Sequence, residues 1–126
     1  TALTIEVIDD TPAYRGGVIA PGPRLLREAL ATGGAQLPSV DLTAPPHLIG
    51  TSTEYALQSG IVHGLEAMAA GLVERLANTL SDTPYIALTG GAASLLHDAL
   101  PRVDTHDPHL VLRGTYRLLR YRARHE

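Results

Sequence analysis

Three short clusters in this 126-residue chain combine residue types suited to ligand chemistry. Thr51-Ser52-Thr53 stands just before an apolar pattern of helical period, so its hydroxyls lie at the positive end of a helix dipole. There they can cap the helix, the commoner use, or donate to a carboxylate or amide ligand. Thr89-Gly90-Gly91 follows a short apolar run and precedes a second helical pattern, which is the strand–glycine–helix layout that leaves backbone N–H groups open to a phosphate or nucleotide. Spacing alone favours a purely structural turn there. Asp104, His106, Asp107 and His109 bring zinc or manganese ligand types within six residues. Pro108 breaks any helix that would align them, and a solvated turn is the expected reading. The lack of cysteine excludes thiolate chemistry, and neither a Gly-x-Ser-x-Gly elbow nor a Walker loop occurs, so a serine hydrolase is not supported. His47, His63 and His97 have no sequence neighbours that would complete a triad.

The elements that must position these clusters follow from periodicity. Thr4 to Ile8 alternates polar and apolar and ends at Asp9-Asp10-Thr11-Pro12, and Tyr14 to Ala20 returns before Pro21-Gly22-Pro23, which together predict a hairpin. Leu25, Leu26, Ala29 and Leu30 recur at helical spacing until Gly33-Gly34. The stretch to Gly50 carries Pro38, Pro45 and Pro46 and is expected to be irregular; connections of this length are often functional. A long helix is then predicted to about Leu80 on Ala56, Leu57, Ile61, Leu65, Met68, Leu72 and Leu76. Its Gly60, Gly64 and Gly71 each cost roughly 1 kcal/mol against Ala, which points to an element packing closely on that face. Pro84 to Leu88 reads as a strand, the pattern through Leu95, Leu96 and Leu100 as a helix, and Asp104 to His109 as a polar turn. Leu110 to Leu112 reads as an edge strand, and Tyr116 to Tyr121 as the start of a last helix.

Composition narrows the partners. A chain with 44% hydrophobic and 18% charged residues can form one globular domain, and the absence of Phe and Trp means a core of Leu, Ile, Val and Ala. All ten basic residues are arginine, which reads as coding bias, and a net charge of −3 gives no general attraction to nucleic acid or anionic lipid. Five arginines fall between Arg113 and Arg124 and are read as the solvated face of a terminal helix rather than as a nucleic-acid tail. No apolar run approaches the length of a membrane span, and the lack of cysteine suits the cytoplasm. The chain begins at Thr1 directly in a strand-like alternation without an initiator Met, as though further sequence preceded it.

Taken in order, several segments resemble one family. Thr1-Ala2-Leu3-Thr4-Ile5-Glu6-Val7 is similar to the segment that follows the Asp-x-Gly of the second phosphate loop in type III pantothenate kinases. The resemblance continues through Gly16-Gly17-Val18-Ile19-Ala20-Pro21-Gly22 and Ala35-Gln36-Leu37-Pro38. It is strongest from Ile49-Gly50-Thr51-Ser52-Thr53 through Ala56-Leu57-Gln58-Ser59-Gly60-Ile61, against a family pattern Ile-Gly-x-Asn-Thr-x-x-Ala-Met-Gln-Ser-Gly-Ile. Leu88-Thr89-Gly90-Gly91-Ala92 and Asp107-Pro108-x-Leu110-x-Leu112-x-Gly114 resemble its later turns. Ser52 in place of the usual Asn, and His63 where Tyr is common, are the departures.

The resemblance implies an α/β, ribonuclease-H-like lobe of the actin-like ATPase and sugar kinase superfamily, with a mixed sheet and packed helices, over residues 1–126. It implies the C-terminal of two lobes that clasp ATP and phosphorylate pantothenate, the first step toward coenzyme A. Thr1, Gly90 and Gly91 would lie on the ATP side and Thr53 would bind pantothenate, with Thr53 and the glycine pair facing one cleft. The catalytic Asp, the first phosphate loop and the carboxylate for a monovalent cation (K+ or NH4+) would lie in the N-terminal lobe, outside this chain, and Mg2+ would accompany ATP. A homodimer is implied, as is inactivity of this lobe alone. The alternatives are a non-enzymatic transcriptional activator of the Baf type and a dimerisation lobe without a ligand site.

Overall fold

The alternating residues of β1, Ala2–Ile8, pair antiparallel with β2, Tyr14–Pro21, running from Ala2 opposite Pro21 to Ile8 opposite Tyr14 with a register shift after Val7. One face of the hairpin half-buries Leu3, Ile5, Val7, Val18 and Ala20, as period-2 patterning requires. Asp9 shapes the turn: its Oδ1 accepts from the Thr11 and Ala13 amides at 3.0 and 2.9 Å and from the Thr11 hydroxyl at 2.6 Å. The computed structural model describes residues 1–34, 37–100 and 102–125, so the Ala35-Gln36 part of the sequence match lies outside the described residues.

Helix α1, Pro23–Gly33, starts with proline at its first position, where the missing N–H costs nothing. Gly22 ahead of it donates its N–H to the Thr1 carbonyl at 2.8 Å, which ties α1 to the start of β1. After the irregular connection comes α2, Thr53–Ala77, 25 residues long and three residues shorter than the predicted end at Leu80. Two short strands, β3 at Ala87–Leu88 and β4 at Thr105–His106, pair in parallel on either side of α3, Ala93–Leu96. The last element is α4, Leu110–His125.

The lobe is α/β, but among the described residues its strands form two separate two-stranded sheets, one antiparallel and one parallel, instead of the expected single mixed sheet. The strand expected at Leu110 to Leu112 is instead the first turn of α4, which begins six residues before the predicted helix start at Tyr116. Asp107-Pro108 explains this. The Asp107 carboxylate accepts from the His109 amide at 2.9 Å and the Asp107 carbonyl from the Leu110 amide at 3.3 Å, so the turn at residues 108–109 leads directly into the helix. The expected polar turn Asp104 to His109 also contains β4, because the Asp104 and Thr105 amides both donate to the Ile86 carbonyl and Asp107 donates to Leu88.

The core joins Leu65 and Ala69 of α2, Leu88 of β3, and Ala93 and Leu96 of α3, with Leu3, Leu26, Met68, Leu95, Leu100 and Val103 packed around it. Ile61 and Val62, also buried, extend it toward the connection, where Val40 is buried. The core therefore lies against α2, and α2 carries the first chemical cluster at one end.

Candidate functional site

At the mouth of α2, one hydroxyl of the Thr51-Ser52-Thr53 cluster is the cap: the Ser52 Oγ accepts from the Tyr55 amide at 3.2 Å. Thr53 is the first helical residue and is exposed, so its hydroxyl is left at the positive end of a 25-residue helix without having to cap it. Glu54 in the same turn faces this dipole. The approach to Thr53 is fixed from behind. Gly50 passes so close to α2 that a Cβ there would lie 2.6 Å from both the Ala56 Cα and the Tyr55 carbonyl carbon, which only glycine permits. Gln58 and Ser59, buried on the inner face of α2, donate to the connection. Gln58 Nε2 reaches the Asp41 carbonyl at 3.3 Å and the Thr43 hydroxyl at 3.2 Å, and Ser59 Oγ reaches the Leu48 carbonyl at 2.5 Å. In the sequence these two stand out only as parts of the family-like segment. The available signal was two polar residues in register with Ile61, Val62 and Leu65 on a helix face that must be buried.

The glycine turn after β3 is open. Gly90 adopts φ +97°, a conformation that favours glycine, and a Cβ at Gly90 or Gly91 would meet no atom within 4 Å. The helix it opens, α3, has four residues, so its dipole is small and the exposed turn backbone is the main feature available to a ligand. Thr1 is exposed at the start of β1, its carbonyl engaged by Gly22. Core packing links two of these places: α3, which follows the glycine turn, packs on α2 at Leu65 and Ala69. Leu65 is about 18 Å along the helix axis from Thr53 at the usual rise per residue. Two surface grooves, of about 420 and 780 Å³, run along α4 and beside the hairpin turn, and none of Thr1, Thr53, Gly90 or Gly91 lines either one.

The two aspartates of the cluster at residues 104–109 are committed to structure. Asp104 accepts from the Ile86 amide at 2.8 Å and pairs with Arg102, and the Ile86 hydrogen bond, helped by Arg102, holds its carboxyl below the usual carboxylate range. Asp107 pairs with Arg113, whose guanidinium, together with the His109 amide, likewise holds its carboxyl below the usual carboxylate range. Among the described residues no group of three or more His, Asp or Glu side chains is arranged to hold a metal ion.

Helix α4 is exposed along its whole length. Arg113, Arg117, Arg120 and Arg124 recur at helical spacing on one side, with Leu112, Leu118 and Leu119 on another, 69%, 56% and 61% exposed. Among the described residues no helix is long and apolar enough to cross a membrane.

A family model described as type III pantothenate kinase matches residues 1–75. The chain belongs to the type III pantothenate kinase family. Two curated relatives bearing that name are each 40% identical to it. The relative from Phenylobacterium zucineum aligns over 95% of this chain and 47% of its own length, and that from Acidothermus cellulolyticus over 90% and 44%. The chain thus spans about half the length of the curated relatives it matches. A conserved Campylobacter jejuni protein, provisionally assigned to Baf family transcriptional activators, superposes with a TM-score of 0.67 over 98% of this chain and 55% of its own. At 19% identity that likeness shows a shared fold. Within the pantothenate kinase family, the model match takes in Thr1 and Thr53, while Gly90 and Gly91 lie beyond it.

Proposed function

We propose that this chain is the C-terminal, ribonuclease-H-like lobe of an enzyme that phosphorylates pantothenate with ATP in the cytoplasm, the entry step of coenzyme A synthesis. The observation that carries this is 40% identity to type III pantothenate kinases over nearly the whole chain, together with an exposed Thr53 at a helix mouth built by the most family-like segment. Thr53 binds the acceptor. Gly90 and Gly91, open and free of side chains, lie on the nucleotide side together with Thr1. The two glycines fit a nucleotide because, among the described residues, a Cβ added at either would meet no atom within 4 Å. ATP, with Mg2+, supplies the transferred phosphoryl group, and the residues of this lobe orient the two substrates.

Phosphoryl transfer needs a positioned base and charge stabilisation. In this reading both come from a second, N-terminal lobe, which also carries the carboxylate for K+ or NH4+, and the cleft that joins Thr53 to the glycine turn is completed by that lobe. The exposed apolar side of α4 supports further protein covering this one. Homodimerisation fits the α2 face that carries Gly60, Gly64 and Gly71, over which a Cβ would meet nothing within 4 Å. The expected packing element on that face is not within the described chain, so a second copy is the occupant in this reading. The test is to combine this chain with its N-terminal lobe and assay ATP-dependent, K+-stimulated phosphorylation of pantothenate, with this chain alone expected to be silent.

One observation favours a second reading, a nucleic-acid-binding relative without kinase activity: the arginine row of α4. Duplex DNA retarded by the protein at physiological salt, with a steep loss of binding as salt rises, would support it. Absence of retardation leaves the arginines as solvated surface.

A further inference from the structure

Burying a polar side chain is unfavourable unless it is hydrogen-bonded, so Gln58 and Ser59, 6% and 8% exposed in the midst of an apolar helix face, call for a function that Leu or Ala would not serve. Their partners show what they hold. Both donate out of α2 into the irregular connection, at Asp41–Thr43 and at Leu48. Between the Leu48 anchor and Thr53 lie only four residues, one of them Gly50 pressed against the first turn of α2. The segment leading into the helix mouth is therefore clamped at both ends, and Leu48 and Ile49 are kept 69% and 83% exposed despite being apolar. Apolar side chains held out in water by buried hydrogen bonds make sense as a surface awaiting an apolar ligand group. Pantothenate has such a group, the branched alkyl centre beside its reacting hydroxyl.

We infer that Gln58 and Ser59 are positioning residues for the acceptor: through Asp41–Thr43 and Leu48 they set the Leu48–Thr53 edge against which the branched alkyl part of pantothenate lies. This rests on the reading of Thr53 as the acceptor-binding residue. Loss of either anchor frees the edge without touching the glycine turn, so the effect falls on the acceptor and spares the nucleotide.

The experiment compares Ser59→Ala and Thr53→Val in the intact two-lobed enzyme. Removing the Ser59 hydroxyl raises KM for pantothenate about tenfold while KM for ATP and kcat change by no more than about twofold. Should Ser59→Ala fail to fold, Gln58→Met, which keeps the bulk, carries the same expectation. A raised KM for pantothenate in Thr53→Val with none in the anchor variants overturns the inference and leaves the acceptor site standing. An unchanged KM in Thr53→Val removes the acceptor reading beneath it.

Discussion

Replacing Gly50 by Ala tests the claim that the path into α2 governs acceptor binding. The added Cβ would lie 2.6 Å from the Ala56 Cα and from the Tyr55 carbonyl carbon, both backbone atoms of a helix that cannot yield as a flexible side chain would. Ordinary contact begins at 3.4 Å. The connection must therefore retreat by about 1 Å at this point, a displacement that in a reactant-positioning segment costs on the order of 100-fold in kcat/KM for pantothenate. The strain itself destabilises the lobe by roughly 1–3 kcal/mol, less than a typical folding free energy, so the variant still folds. Steady-state kinetics with pantothenate as the varied substrate, beside a thermal melt, reads both quantities. A variant that melts earlier but keeps full acceptor kinetics would refute the link between this close approach and the site.

Gly91→Ala meets no protein atom, so the melt stays where it is while KM for ATP rises, as seen by varying ATP at saturating pantothenate. Leu65, fully buried at the centre of the core, loses about 2–5 kcal/mol as Ala in urea denaturation. Gly64→Ala also enters open space, raising α2 stability by up to about 1 kcal/mol in the melt while weakening self-association by light scattering. Asp107, its carboxyl held low by Arg113, contributes stability that is complete above the ordinary carboxylate range. That contribution drains away as pH falls below about 4 toward the depressed value. Asp107→Asn should flatten this part of an acid-denaturation curve.

Much of this fold was legible because it is local. The alternation in β1 and β2, the proline start of α1 and the helical period of α2 each follow from residues close in sequence, and the Asp9 turn closes within five residues. The pairing of β3 with β4 depends on hydrogen bonds between residues 86–88 and 104–107, which no local pattern encodes. Leu110-Val111-Leu112 misled because a three-residue apolar run carries no period, and the decisive signal lay earlier, in the Asp107-Pro108 turn that leads into the helix. At the site, the hydroxyl cluster was legible, but which hydroxyl caps was not: Ser52 takes that task and leaves Thr53 available. The anchoring by Gln58 and Ser59 spans 11 to 17 residues and emerges only once the connection is folded back on α2.

The measurement that bears most directly on the whole account is detection of phosphorylated pantothenate by mass spectrometry after incubation with ATP, Mg2+ and K+. This 126-residue chain would be supplied alone and then together with the proposed N-terminal lobe. Product with both lobes, none with this chain by itself, and a loss with Thr53→Val is the predicted result. Contradiction would come from both lobes together yielding no product, or from this chain yielding it unaided.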